Sequence, residues 1–358
     1  MNQTTPAEKD DEVPEQPAAP RGRRKSGGLT LRDVARVAGV APITASRALN
    51  TPDAVSPKVL RKVRAAVAET GYVPNLLAGA LASKKSRLVA AVVPHLSGPV
   101  FLETIESLTQ TLAASGYQLM LGQSGYENSR EDALLETIIG RRPDGIVLTG
   151  AMHTEEVRRK LKGSGIPVVE TWDLTTDPID MLVGFSHEQI GAAVARYLHL
   201  HGRRRVATIS GDDDRSRRRA TAFIQTAAEL GMTQDDGAVP SCFVPAPTTV
   251  GGGRTGLGRL LEQGAAIDAI FCSSDMMALG VMIEAAARGI SIPGQLALVG
   301  FGDIGFARDL QPPLTTVRID GTAIGRTAAQ LIMDRTEGRS VEQPHCDLGF
   351  TLVERASV

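Results

Sequence analysis

From Leu88 onward the chain alternates short apolar runs with amphipathic segments, and this alternation narrows the possible folds more than any other feature. The runs are LVAAVVPHL (88–96), YQLMLGQ (117–123), DGIVLTG (144–150), IPVVETW (166–172), MLVGFS (181–186), RVATISG (205–211), AIFCSS (269–274) and LALVGFGD (296–303), each ending in turn or polar residues. Runs of that length, with helical patterning between them, predict parallel α/β sheets. The first five strands and the later ones predict two doubly wound lobes. Ligands then belong at the carboxyl ends of the strands, in the cleft between the lobes. A chain of 358 residues with 42% apolar content has room for two or three core-bearing units.

Before that texture begins, residues 29–50, LTLRDVARVAGVAPITASRALN, carry the signals of two short helices joined by a tight turn. Thr30 and Asp33 form a Thr-x-x-Asp start signal, and the acid suits the positive helix end. Leu31, Val34, Ala35 and Ala38 share one apolar face, Gly39 supplies the left-handed residue that stops the helix, and Pro42 fits a first helical turn. The second helix turns Ala45, Ala48 and Leu49 inward and leaves Pro42, Ile43, Thr44, Ser46 and Arg47 outward. Such a pair is a helix-turn-helix whose outer face suits a major groove, or an ordinary helical hairpin with a solvated face. Ser56-Pro57-Lys58 opens a third helix, with Val59, Val63, Ala66 and Val67 at helical spacing and Gly71 as its stop.

Charge separates the same regions. Residues 1–20 carry one base and five acids, residues 21–87 fourteen bases and three acids, and residues 88–358 twenty-four bases and thirty-two acids. A basic segment on an otherwise acidic chain is the footprint of phosphate neutralisation, with salt-dependent DNA binding as its consequence. Residues 1–28 hold too little apolar content for a core and are expected to be disordered; Arg21-Gly22-Arg23-Arg24-Lys25 is either a flexible DNA-touching arm or a solvated tail.

Several other classes find no support. The chain has no apolar run long enough to span a bilayer and no apolar core of a signal peptide at its start. Its three cysteines, Cys242, Cys272 and Cys346, are far apart. The expectation is a cytoplasmic protein with reduced thiols and no cofactor. Gly251-Gly252-Gly253-Arg254-Thr255-Gly256 matches GxGxxG, but it follows a Pro/Thr loop rather than a strand and is expected to be a loop entering a helix. His199 and His201 do not share a helical face, and neither a Walker lysine nor a nucleophile elbow is present.

Asp33-Val34-Ala35, Ala38-Gly39-Val40, Thr44-Ala45-Ser46-Arg47, Leu49-Asn50 and Gly71-Tyr72-Val73-Pro74-Asn75 together resemble the headpiece of the LacI-type (lactose/galactose repressor) transcription regulators. The similarity continues to about residue 353. It implies a headpiece over 29–74, a hinge helix and linker over 75–87, and a core over 88–358 like a periplasmic sugar-binding protein. Within the headpiece, Thr30, Pro42, Ile43, Thr44 and Arg47 are expected at the DNA, with Ser46, Asn50, Ser56, Tyr72 and Asn75 supplying phosphate or sugar contacts. Residues 74–82 are too short for a stable isolated helix. In the family this segment folds on the operator, and the leucine matching Leu81 wedges into the minor groove; the alternative is a plain linker leucine.

Inside the core, His153-Thr154, Pro167-Val168-Val169-Glu170, Asp173, Val183-Gly184-Phe185 and Asp347-Leu348-Gly349-Phe350-Thr351-Leu352 resemble the gluconate-responsive members of the family. Repressors of neutral sugars commonly carry Asp after Gly-Phe at the last cleft loop, where this chain has Gly302. Arg219, in the family's Arg-x-x-Ala-Phe segment, is then a bidentate partner for a carboxylate, or else a surface arginine in the run Arg217-Arg218-Arg219. The family's pocket Asn-Asp stands here as Ser274-Asp275. Asp275 and Asp303, like Glu170 and Asp173, are read equally as acceptors for ligand hydroxyls or as local caps. His95, Ser97 and His187 are lesser candidates for polar contact, and Tyr126 or Trp172 for an apolar face. The implied protein is a homodimeric repressor on a double-stranded, pseudo-palindromic operator, with no membrane partner, released by a small sugar acid, gluconate foremost. Alternatives are a regulator answering to a neutral or phosphorylated sugar, and a sugar sensor that does not bind DNA.

Overall fold

The computed structural model describes residue 1 and residues 29–73, 85–96, 98–125, 128–151 and 153–358. The expectations for the tail, for Asn75 and Leu81 in the hinge, and for Ser97 and Tyr126 lie outside the described residues. The chain divides into two compact units, Met1–Leu76 and Leu77–Val358.

Among the described residues the first unit is helical, with α1 (Leu31–Ala38), α2 (Pro42–Asn50) and α3 (Pro57–Thr70). Local chemistry sets most of these boundaries. The Asp33 carboxylate accepts from the Thr30 backbone N–H at 3.0 Å and from its hydroxyl at 2.7 Å, and these hydrogen bonds hold its pKa below the usual value. Gly39, at φ 63°, ends α1 in the left-handed region. Pro42 begins α2, and the Ser56 hydroxyl accepts from the Val59 N–H at the start of α3. The core is small and alanine-rich: Val34, Ala35, Ala38, Ala45, Ala48, Val63 and Ala66, with Val40 and Tyr72 packed at its margin. Short side chains let the three helices approach closely, which suits a unit this small.

The second unit contains two six-stranded sheets of matching order, β11-β5-β4-β3-β1-β2 and β12-β10-β9-β8-β6-β7. The first sheet holds β1 (Leu88–Val93), β2 (Gln118–Gln123), β3 (Gly145–Thr149), β4 (Val168–Thr171), β5 (Met181–Gly184) and β11 (His345–Asp347). The second holds β6 (Val206–Gly211), β7 (Ser241–Val244), β8 (Ala269–Cys272), β9 (Ala297–Phe301), β10 (Thr315–Arg318) and β12 (Thr351–Val353). Among these only the β10–β12 pairing is antiparallel. The central strands are buried on both faces, as their unbroken apolar runs require. Chain connections pass between lobes after β5, after β10 and between β11 and β12.

The two doubly wound lobes are therefore as the alternation implies. Four strands escaped that reading: β7, β10, β11 and β12. Ser241–Val244 and His345–Asp347 are short, lie at or near sheet edges and carry polar or exposed residues, so they lack the apolar run of a central strand. The glycine-rich segment is corrected too. Gly251, Gly252, Gly253 and Gly256 lie inside the helix Val250–Glu262, capped by the Thr249 hydroxyl. A Cβ on Gly253 would stand 2.0 Å from the Met277 carbonyl oxygen and one on Gly256 2.5 Å from Ile209 Cγ2, so Gly253 lets this helix approach the helix Asp275–Ala287 and Gly256 lets it approach β6. Among the described residues no helix is long and apolar enough to cross a membrane.

Candidate functional site

Three helices of the core begin at the same cleft, each after a strand or connection that delivers its N-terminus there. Ser186 caps the helix His187–Leu200, Asp213 caps Asp214–Glu229, and Ser274 caps Asp275–Ala287. Their first turns supply His187, Arg215, Ser216, Asp275 and Met276 to the lining of a cleft of about 680 Å³. Three positive helix ends converging on one space favour an anion.

The cleft walls differ in kind. The second lobe contributes Asp213, Arg215, Ser216, Arg219, Ser273, Ser274, Asp275 and Phe301, while the first contributes His95, Pro99, Val100, Phe101 and Trp172. Trp172 has left-handed backbone, φ 66°, and its indole N–H donates to the Thr104 hydroxyl at 3.1 Å. Its ring meets Phe101 and Phe185 edge-on at 4.9 and 5.7 Å. The first wall is thus an aromatic cluster in a fixed orientation.

Arg219 is held at both terminal nitrogens. One terminal nitrogen bonds His187 Nδ1 at 2.8 Å; the other donates to the Ser216 hydroxyl at 3.1 Å and the Ser273 carbonyl at 3.2 Å. Its guanidinium carbon sits 4.0 Å from the Phe301 ring centroid. Burial lowers its pKa to about 10, which leaves it charged at neutral pH. Close helix packing positions it, because a Cβ on Gly191 would fall 2.2 Å from the Arg219 carbonyl oxygen. The alternative of a surface arginine is corrected, since Arg219 is buried in the cleft lining, and of its three nitrogens only Nε lacks a hydrogen-bond partner.

His187 links the two walls. Its Nε2 faces the Trp172 carbonyl at 3.1 Å and must donate, so Nδ1 is the acceptor for Arg219. Burial, followed by the charges of Arg219, Arg215 and Arg218, keeps it neutral, with a pKa well below the ordinary histidine value. His95 is likewise lowered, by burial and then by Arg215. Asp213 accepts from the Ser216 N–H at 3.1 Å; burial raises its pKa, but the charges of Arg215 and Arg219 outweigh this and keep it ionised.

Of the acids and hydroxyls expected at the ligand, Ser274 and Asp275 reach the cleft. Asp275 accepts from the Thr316 hydroxyl at 2.6 Å and the Ile304 N–H at 2.9 Å, and burial raises its pKa to about 6. The others go elsewhere. Glu170 points to the face of β4 covered by the helix Glu155–Ser164, where Oε2 accepts from the Ile179 N–H at 2.6 Å and Oε1 lies 3.7 Å from His153 and 4.0 Å from Arg158. Asp173 is buried, accepting from the Leu174 N–H and pairing with Arg218. Asp303 pairs with Arg318 and Arg355 and lines a neighbouring polar cavity. The rule that ligands sit at strand ends specifies distance along the chain but not the face to which a side chain turns. Asp213, Arg215 and Ser216 went unread in the sequence, although the acidic cap following β6 marked a helix start there.

In the helical unit, Pro42, Ile43, Arg47 and Asn50 form an exposed face on α2, with Thr44 and Ser46 half-buried beside them. Ile43 is 61% exposed, unusual for so apolar a side chain. The Asn50 amide donates to the Ser46 hydroxyl at 3.3 Å. Thr30 and Ser56 are exposed at helix starts, with their hydroxyls engaged in capping, and Tyr72 packs against the core margin. The α2 residues form an outward face of hydroxyls, amide, arginine and one aliphatic chain, which suits a major groove.

The family model described as bacterial regulatory proteins, lacI family, matches residues 30–75, and the periplasmic binding protein-like domain matches residues 195–358. The HTH-type transcriptional regulator GntR of Pseudomonas aeruginosa is 37% identical over 338 residues, covering 94% of this chain and 98% of that protein. The Escherichia coli regulator of the same name is 30% identical over 329 residues, covering 92% and 98%. A solved LacI-family transcriptional regulator from Silicibacter pomeroyi superposes with a TM-score of 0.85 at 33% identity, covering 92% of this chain and 99% of that one. With the capped helical headpiece and the two-lobed cleft already in place, these matches make the chain a DNA-binding transcriptional repressor of the LacI family.

Proposed function

We propose that this repressor acts as a homodimer on a pseudo-palindromic operator and leaves it when a small sugar acid, gluconate foremost, occupies the cleft. The observation that carries this reading is the charge of the second-lobe wall. Two guanidiniums and three helix N-termini face the cleft, against the carboxylates of Asp213 and Asp275, the second of which is spent on the Thr316 hydroxyl and the Ile304 N–H. Gly302, where a neutral-sugar site would carry an acid, adds no further carboxylate beside Asp275. The resemblance of the core segments to gluconate-responsive repressors points to the acid, and the two relatives named GntR are in keeping with it. Serine, threonine and histidine side chains around the charges supply partners for hydroxyls.

The ligand acts by differential affinity. A molecule that touches both walls favours one lobe arrangement, and operator affinity falls if that arrangement cannot seat both headpieces. On the DNA side, Pro42, Ile43, Thr44 and Arg47 face the bases, and Thr30, Ser46, Asn50, Ser56, Tyr72 and Asn75 the backbone, with Leu81 as the minor-groove wedge.

Calorimetric titration with gluconate, phosphogluconate and neutral sugars, each followed by operator release at fixed salt, tests the reading. Gluconate should bind and release the operator. Binding of a neutral sugar alone would overturn the ligand class and leave the family intact. In parallel, Arg47→Ala should weaken operator binding by roughly tenfold or more while gluconate affinity stays within about twofold; a matched loss of both would remove Arg47 from the DNA-reading face.

A further inference from the structure

We infer that Arg215, rather than the family-position Arg219, receives the ligand carboxylate, and that it does so from across the cleft. This rests on the reading of the cleft as a sugar-acid site. Its starting point is a difference between two arginines one helical turn apart on the same helix. Arg219 spends its terminal nitrogens on His187, Ser216 and Ser273 and stacks on Phe301, so it is part of the wall. Arg215 has a terminal nitrogen, NH1, that is buried yet has no hydrogen-bond partner. A cationic N–H removed from water without an acceptor is costly, and the cost is relieved by any anion that reaches it.

The location matters as much as the orphaned donor. Arg215 is anchored in the first turn of the second-lobe helix Asp214–Glu229, but its guanidinium carbon lies 5.5 Å from the centroid of the Phe101 ring, in the first lobe. NH1 stands 3.9 Å from where a Cβ on Gly150 would be, at the carboxyl end of β3, also in the first lobe. The arginine therefore spans the cleft. Asp213, on the same wall, already accepts from the Ser216 N–H and lowers the local charge without occupying NH1. A carboxylate at NH1 ties a second-lobe cation to the first-lobe surface beside Phe101 and Gly150, whereas a ligand without that group cannot. Specificity for an acid and the bias between lobe arrangements then come from one contact.

The test compares wild type, Arg215→Met and Arg215→Lys by gluconate titration, with ligand-free thermal unfolding as the control for folding. Arg215→Met should weaken gluconate binding on the order of 10- to 100-fold, the loss of a charge-assisted hydrogen bond. It should also remain on the operator at gluconate concentrations that release wild type. Arg215→Lys should fall between, keeping the charge but not the planar fork. The ligand-free methionine variant should melt at or above the wild-type temperature, because a buried donor without an acceptor has been removed. Unchanged gluconate affinity in the methionine variant would overturn the inference while leaving the sugar-acid reading standing. A ligand-free melting temperature lowered by more than about 4 °C in both variants would also overturn it, by making Arg215 a structural residue. If wild type itself shows no heat with any sugar acid, the reading of the cleft fails instead.

Discussion

The two lobes of the core share a strand order and a connection pattern, yet they meet the cleft with opposite chemistry. Rings and proline dominate the first-lobe wall, with Pro99, Phe101 and Trp172; ions and hydroxyls dominate the second, with Asp213, Arg215, Ser216, Arg219 and Asp275. The topology decides that loops and helix starts gather at the cleft, and leaves their content free. A ring-lined wall excludes water, and in the lower local dielectric each charge opposite it acts more strongly. The difference thus assigns discrimination between ligands to the second lobe and enclosure to the first, with His187 joining the two through Trp172 and Arg219.

The strongest way to break this comparison is Arg219→Met. It strips the acceptor bond from His187 Nδ1 and the donor from the Ser273 carbonyl, and should cost about 2–4 kcal/mol of core stability, read by urea unfolding. A cost under ~0.5 kcal/mol would mean that the charged wall is not a structural network. Next in size is Trp172→Leu on the opposite wall. It removes the ring contacts with Phe101 and Phe185, and should weaken gluconate and any detectable neutral ligand alike, by about 1–3 kcal/mol. A selective loss of the acid would show that the first lobe also discriminates.

The smallest effects come from two buried histidines with opposite signs. His153, in the first lobe, has Nδ1 3.2 Å from Glu131 and Nε2 3.1 Å from the Gly150 carbonyl. Both partners are acceptors, so they favour the doubly protonated ring. Burial opposes the charge, but the Glu131 hydrogen bond and the charges of Glu131 and Glu170 raise its pKa overall. Its stabilisation is complete below the ordinary histidine value of 6.5 and is lost as pH rises through the higher folded value. His187 is the reverse, since its depressed pKa means that stabilisation is present above 6.5 and is lost as pH falls. Melting curves across this range should therefore lose their alkaline fall with His153→Gln and part of their acid fall with His187→Gln. The same change from both substitutions would refute the opposed assignments.

Much of the fold was legible because its signals are local. The run 205–211 anticipated β6 at Val206–Gly211, and 144–150 anticipated β3 at Gly145–Thr149, since a strand buried on both faces must be apolar throughout. The capped helices of the headpiece were equally readable, because Asp33 and Gly39 act within one turn of the residues they stabilise. The site was only partly legible. His95, Arg219, Ser274 and Asp275 do reach the cleft, but Glu170, Asp173 and Asp303 turn to other partners. Arg215 was hidden beside a run of three arginines, in which composition cannot tell a buried donor from a solvated one.

The amino-acid sequence by itself determined the periodicity of the strands, the helix starts and stops, the basic segment and the family. Each follows from neighbours in the chain or from the pattern as a whole. Which charges meet was decided only by the tertiary structure. Arg219 finds His187 across 32 positions and Ser273 across 54, and Asp275 finds Thr316 across 41. Those pairings exist because two sheets bring distant strand ends together, and burial there makes each unspent donor, such as Arg215 NH1, matter.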